Sequence, residues 1–195
     1  MPTVKYKAAT DKTIKNIRIP GNITDEGMTY EVTEIAEEAF KNNKSIEKVV
    51  IEENVKIVGR NAFYGCVNLK SVTIPNSAEV IGKNSFYGCK ALSKLYIADG
   101  VTEVGDGAFE KCNKLTKITI GKRVKKIGKN AFFGCKNLKT ITIKSTKLTK
   151  KSFGKNAFKG ISKKATITVP KKQYKNYKKW LKATGLSKGV KIKKK

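Results

Sequence analysis

The chain contains no histidine, only three arginines among its 43 basic residues, and no acidic residue beyond Glu110. The missing histidine removes the commonest general base, the Ser-His and Cys-His nucleophile pairs and the most frequent metal ligand. Scarce arginine removes most of the bidentate forks that read bases or clamp phosphates, because lysine is a hydrated point charge. Long apolar runs are also absent. The longest are a few residues, as in Val49-Val50-Ile51, too short to span a membrane. The start, Met1-Pro2-Thr3-Val4-Lys5, lacks the apolar stretch of a secretory signal. A full-length chain would therefore be cytoplasmic, and a surface protein would have lost its signal. No Pro/Gly/Ser-rich linker divides the 195 residues, and 39% apolar composition is enough for one sizeable core. Residues 1–195 are expected to form a single domain.

The charge is unevenly placed. Residues 1–110 carry fourteen basic and fifteen acidic residues, net −1, whereas residues 111–195 carry twenty-nine basic residues and no acid. Such a field attracts anions without specifying which, and the bland alternative is a lysine-rich solvated surface.

A long period governs the rest. Phe40, Phe63, Phe86, Phe109 and Phe132 follow one another at 23 residues, and Phe158 comes 26 residues later, implying a three-residue insertion. A second apolar set follows each phenylalanine at fixed distance: Ile46-x-x-Val49-x-Ile51, Leu69-x-x-Val72-x-Ile74, Leu92-x-x-Leu95-x-Ile97, Leu115-x-x-Ile118-x-Ile120 and Leu138-x-x-Ile141-x-Ile143. The last copy keeps only Ile167 and Val169. These alternating, largely β-branched segments predict short strands. The Gly-x-Asn-Ala-Phe segments predict a tight turn into a short helix, with Asn61, Asn84, Asn130 and Asn156 placed as helix caps. Glu38 and Gly107 replace them in two copies. A 23-residue unit cannot bury its strand and helix alone, but stacked neighbours share one continuous core. The expected fold class is therefore an α/β repeat solenoid. It is a right-handed coil with a parallel β-sheet on one face, short helices or turns on the other and a C-terminal capping helix.

The repeat V-x-x-I-G-x-x-A-F-x-G-C-x-x-L-x-x-V-x-I-P, clearest in Val55 to Pro75, resembles the BspA-like leucine-rich repeats of bacterial surface proteins. Six copies carry the resemblance across roughly residues 14–170. The lead-in Ile17-x-Ile19-Pro20 and Tyr30 to Ile35, and the tail from Val169-Pro170-Lys171-Lys172 to Val190-Lys191-Ile192, are similar to this family as well. Residues 1–31 then form N-terminal strands and a cap, 32–170 the six repeats, and 171–195 a closing helix and strand. Better-known leucine-rich repeats carry a buried Asn where this chain has Asn54, Ser77, Gly100, Arg123 and Thr146, so a buried Asn ladder is absent. The resemblance implies adhesion or recognition at a bacterial cell surface, and it names a fold and a habit of use without naming a ligand.

Candidate chemistry is sparse. Cys66, Cys89, Cys112 and Cys135 share one place in four successive repeats, so they form a column along the stack. Four thiolates on a line cannot converge on a tetrahedral zinc, and in-register side chains rarely reach disulfide geometry. They are expected to be buried free thiols. Glu34, Glu37 and Glu38 cluster, but at repeat positions filled by lysine or asparagine elsewhere. The glycines recur once per turn and mark turn geometry, not a phosphate loop. No catalytic residue, metal ligand or cofactor is assigned, and the chain is expected not to be an enzyme.

The residues that alternate with the strand core must point outward. Their central column reads Val50, Thr73, Tyr96, Thr119, Thr142 and Thr168. One flank includes Lys94 and Lys117, and the other Glu52 and Lys144. The candidate ligand face is therefore Thr73, Lys94, Tyr96, Lys117, Thr119, Thr142 and Lys144, set against the plain alternative of a solvated, threonine-rich sheet surface. The closing helix, expected over about 171–184, carries a second candidate surface. There Lys171, Lys172, Lys175, Lys178 and Lys179 offer a cationic patch for a polyanion, while Tyr174, Tyr177 and Leu181 share a capping face. The leading expectation is a non-catalytic cell-surface or secreted recognition module for a protein or glycan ligand. The rivals are a polyanion binder for an anionic wall polymer or nucleic acid, with nucleic acid the less favoured, and a structural module of a larger surface protein. The oligomeric state is left open.

Overall fold

The structure is a computed structural model describing residues 1–7 and 13–195. The chain opens with β1 (Thr3–Tyr6), β2 (Asn16–Ile19), β3 (Asn22–Asp25) and β4 (Met28–Ile35). Each repeat then supplies one longer and one two-residue strand. These are β5 (Lys48–Ile51) and β6 (Ile57–Val58), β7 (Ser71–Thr73) and β8 (Val80–Ile81), β9 (Lys94–Ile97) and β10 (Glu103–Val104), and β11 (Lys117–Ile120) and β12 (Lys126–Ile127). The chain closes with β13 (Thr140–Ile143), β14 (Thr166–Val169), α1 (Tyr174–Lys182) and β15 (Lys191–Lys194).

Longer strands stack in parallel on one face, in two ladders ordered β2-β5-β7 and β15-β14-β13-β11-β9. The register is the repeat itself: Tyr96 pairs with Thr119, Thr119 with Thr142, and Thr142 with Thr168. The two-residue strands extend β1 and β4 into a second parallel ladder, β1-β4-β6-β8-β10-β12, with β3 paired antiparallel to the outer part of β4. This second sheet is not legible in the periodicity, because two residues are too few to show alternation.

The segments expected to be short helices are turns, and α1 is the only α-helix among the described residues. The physical reason lies in where their N–H groups go. Asn61, Phe63 and Gly65 donate to Lys83, Ser85 and Tyr87 of the next coil, at 2.7–2.9 Å, while Ala62 and Tyr64 donate three residues back. An α-helix needs every N–H within its own coil, and here alternate donors are spent between coils. The asparagines accordingly do not cap helices. Asn61, Asn84, Asn130 and Asn156 sit at φ of 53–60°, the left-handed conformation that asparagine tolerates. Gly107 occupies the same point at φ 63° without a Cβ penalty. Coil spacing also selects glycine just upstream: a Cβ on Gly82 would lie 2.5 Å from the Val58 carbonyl oxygen of the preceding coil.

The core runs the length of the stack. Phe40, Phe63, Phe86, Phe109, Phe132 and Phe158 stack ring on ring with centroids 5.0–5.5 Å apart. Beside them, Cys66, Cys89, Cys112 and Cys135 are buried and free. Each thiol donates to the carbonyl of the phenylalanine 26 residues earlier, at 3.1–3.4 Å. Burial pushes the Cys66 and Cys135 thiols up to about 12, and Cys89 and Cys112 well above the ordinary range. A thiol so raised carries almost no thiolate at neutral pH, so these side chains pack instead of reacting.

The closing helix docks by Tyr177 and Leu181, both buried, with Tyr174 and Trp180 half-buried beside them. Tyr177 packs edge-on against Phe153 and donates its hydroxyl to the Ser145 carbonyl at 3.0 Å, while the Leu148 N–H donates to it at 3.2 Å. Both hydrogen-bond partners lie in the segment between β13 and Phe153 that accommodates the three extra residues, so the helix closes the stack and satisfies the irregular coil beneath it.

Candidate ligand face

The strand registers place the outward residues in columns running along the stack. Thr73, Lys94, Tyr96 and Lys117 are exposed, and Thr119, Thr142 and Lys144 are half-buried. Beneath them Leu95, Ile118 and Ile141 are buried, so each strand divides cleanly between core and face. Tyr96 is 45% exposed and is the one aromatic among the strongly exposed large apolar side chains of the described residues.

Two hollows border the candidate residues, and a third, of about 260 Å³, lies nearer the N-terminus between β2 and β5. Of the first two, a shallow one of about 230 Å³ is lined by Lys94, Leu95, Tyr96, Lys117 and Thr119. A larger groove of about 590 Å³ lies two coils further on, between the strand ends and the turn beyond them. Its walls include Lys122, Arg123, Thr142, Lys144, Thr146, Lys147 and Thr168. Six of the seven sequence-predicted face residues border one hollow or the other, and Thr73 lies outside both. Lys144 connects the two. Its ammonium sits 5.0 Å from the centre of the Tyr96 ring and 4.0 Å from Asp99 Oδ1. Partial burial disfavours the Asp99 charge, yet the Lys122 N–H, donating at 3.1 Å, and the Lys144 ammonium hold its carboxyl below the usual range.

Sequence reasoning missed Lys122, Arg123 and Lys147. The repeat register puts the first two just past the strand, with no sign that they line a groove. Lys147 belongs to the insertion, where the register gives no position at all. The five helix lysines, Lys171, Lys172, Lys175, Lys178 and Lys179, are all exposed, and none of them borders the large groove. Lys178 lies 5.6 Å from the Tyr174 ring and edges a separate cleft of about 360 Å³ between the helix and the last strand.

The acidic cluster is occupied by partners. Glu34 pairs with Lys5 at 2.8 Å, Glu38 with Lys41 at 2.7 Å, and Glu37 with Arg60. Among the described residues no group of three or more cysteine or carboxylate side chains is gathered as metal ligands would be, and no helix is long and apolar enough to cross a membrane.

The family model described as the BspA type leucine rich repeat region matches in six copies, over residues 3–112, 33–163 and 79–192. The chain belongs to the BspA-type leucine-rich-repeat family. Among solved structures, a leucine-rich repeat protein from Bacteroides ovatus is similar at 28% identity and TM-score 0.69, over 79% of this chain and 39% of that one. A leucine rich cell surface protein from Faecalibacterium prausnitzii is similar at 29% identity and TM-score 0.62, over 86% of this chain and 50% of that one. The pneumococcal vaccine antigen PcpA shares the fold at 24% identity and TM-score 0.72, over 96% of this chain and 45% of its own. The chain thus spans half or less of the length of these three structures. No curated protein matches it.

Proposed function

We propose that this BspA-type chain is a non-catalytic recognition module at a bacterial cell surface, binding a protein or glycan ligand through its outward strand face. The observation that carries this is Tyr96, an aromatic 45% exposed on β9, the outermost strand of the five-stranded parallel ladder, beside Lys94 on the same strand and Lys117 on β11. Exposed tyrosine offers a large rigid contact at low entropy cost and is enriched at binding hot spots. The cell-surface setting is supported by the likeness to the Faecalibacterium surface protein. A non-catalytic role is supported by the missing histidine, the ion-paired glutamates and the buried thiols.

A second reading, polyanion binding by the closing helix, draws on the twenty-nine unopposed basic residues of 111–195. One experiment separates the two. Wild type, Tyr96→Ala and a variant with Lys171, Lys172, Lys175, Lys178 and Lys179 changed to glutamine are screened on panels of host matrix proteins and of neutral and acidic glycans, across a salt series. Strand-face recognition predicts a salt-tolerant hit lost with Tyr96→Ala and kept by the glutamine variant. The polyanion reading predicts the reverse, with binding that falls steeply with salt through counterion release.

A further inference from the structure

We propose that the large groove beside the C-terminal strands binds an acidic polysaccharide, seating its carboxylate, sulfate or phosphate group between Arg123, Lys144 and Lys147. The adjoining sugar rings run along the strand face towards Tyr96. This rests on the strand face being a recognition surface and names the chemistry that it recognises.

Charge is the first ground. The groove of about 590 Å³ has no carboxylate side chain among its lining residues. Asp99 lies at its margin and draws on Lys122 at 3.6 Å and Lys144 at 4.0 Å. The ion pairs of the described residues leave Arg123 and Lys147 without a carboxylate partner. Cations gathered round one hollow repel each other, and an anion placed among them relieves the repulsion. Arg123 adds the planar fork that matches a carboxylate, sulfate or phosphate, in a chain that otherwise relies on lysine.

The remaining lining argues for a polyol. Thr142, Thr146 and Thr168 bring hydroxyls to the same groove, and each can both donate to and accept from sugar hydroxyls. An acidic peptide is less well served. The strands that wall the groove, β13 and β14, are each paired on both sides, so a peptide main chain finds no free edge within the groove to extend. Single-stranded nucleic acid needs successive aromatics for its bases. The groove lining has none, and Tyr96 stands two coils away, roughly 10 Å at strand spacing. One aromatic at that distance suits the apolar C–H face of a sugar ring in the same chain, with Lys144 lying between ring and groove.

The test measures binding of five probes by calorimetry: a polygalacturonate oligosaccharide, a heparin oligosaccharide, a neutral dextran, and oligo-dT and poly-glutamate as the competing polyanion classes. The proteins are wild type, the double variant Arg123→Gln/Lys147→Gln, Tyr96→Ala, and the helix variant with five lysines changed to glutamine. Both substituted groove residues are exposed, and thermal melts confirm that the variants stay folded. The expected result is that at least one acidic oligosaccharide binds and dextran does not. The groove variant should weaken binding about tenfold or more, the magnitude of a lost charged hydrogen bond, and the helix variant should bind as wild type. Equal binding by wild type and groove variant, or oligo-dT or poly-glutamate binding as tightly with the same dependence, overturns the inference. A protein or neutral glycan that binds through Tyr96 but ignores the groove variant leaves the strand-face reading standing and sinks only this one. If no probe binds and the matrix-protein screen is also blank, both readings fall.

Discussion

Ser85 is the one hydroxyl in a column otherwise made of Ala39, Ala62, Ala108, Ala131 and Ala157. Its side-chain oxygen is fully buried and has no hydrogen-bond partner among the described residues. A buried donor left unsatisfied costs about 1–3 kcal/mol, and removing it with little change of volume recovers much of that cost. Ser85→Ala should therefore raise stability by about 1 kcal/mol. Urea denaturation should show a higher midpoint with an unchanged slope, and a lower midpoint would mean the hydroxyl has a partner. The cysteines show the opposite solution to the same problem. Each thiol reaches the carbonyl of a phenylalanine in the preceding coil, so a small polar group is buried with its partner supplied. The column of four was readable from the 23-residue spacing. The hydrogen bond was not, because it depends on how far one coil is offset from the next.

At the scale of the element, the repeat resolves into two short strands and a chain of turns. The phenylalanine ladder sits behind those turns and touches both neighbours in the stack, with centroids 5.1 and 5.2 Å from Phe86. Phe86→Ala would open a cavity that neither neighbour can fill without breaking its own contacts, so the loss should be about 3–5 kcal/mol. Phe133 is adjacent in sequence to a ladder member but half-buried. It belongs to an outer column with Tyr64 and Tyr87, which stack at 4.7 Å. Phe133→Ala should cost about 1 kcal/mol. Chemical denaturation of the two variants decides the matter, and equal losses would contradict the register. The convex segments carry the main correction to the sequence reading. Gly-x-Asn-Ala-Phe has the composition of a capped helix start, and also of a turn with a left-handed residue. Composition alone does not say whether an N–H is spent within its coil or on the next one.

Over the whole molecule, position in sequence becomes position along the stack, and the charge asymmetry becomes a physical polarity. In the N-terminal coils, lysine or arginine meets a carboxylate one repeat away, as in Lys70–Glu47 at 2.6 Å and Arg60–Glu37. Beyond Glu110 no acid remains. Coils roughly 4.8 Å apart lie well inside the Debye length of about 10 Å at 0.1 M salt, so their lysines repel. Raising sodium chloride from low concentration to about 0.5 M should therefore raise the melting temperature by a few degrees. Amide hydrogen exchange should show the gain in the coils after residue 111, with no gain or a slight loss in those before it. Protection that rises equally along the chain would mean that the basic half is not electrostatically strained.

What the sequence determined by itself is everything that repeats. Columns of Phe, Cys and β-branched residues, the two faces of each long strand, and the site of the insertion all follow from a 23-residue period, because stacking copies a sequence register into space. Tyr96 on the outward face was legible for that reason, as were the buried side of the closing helix and its lysines. The tertiary structure alone decided whatever depends on contacts between coils or on departures from the period. The second ladder of two-residue strands exists because neighbouring coils present their N–H and C=O groups to each other, which no single copy of the repeat shows. The groove of Arg123, Lys144 and Lys147 exists because the three-residue insertion brings Lys147 alongside residues 3 and 24 positions earlier in the chain. No count of residues could have placed it there, since the insertion is where the count stops mapping onto the axis.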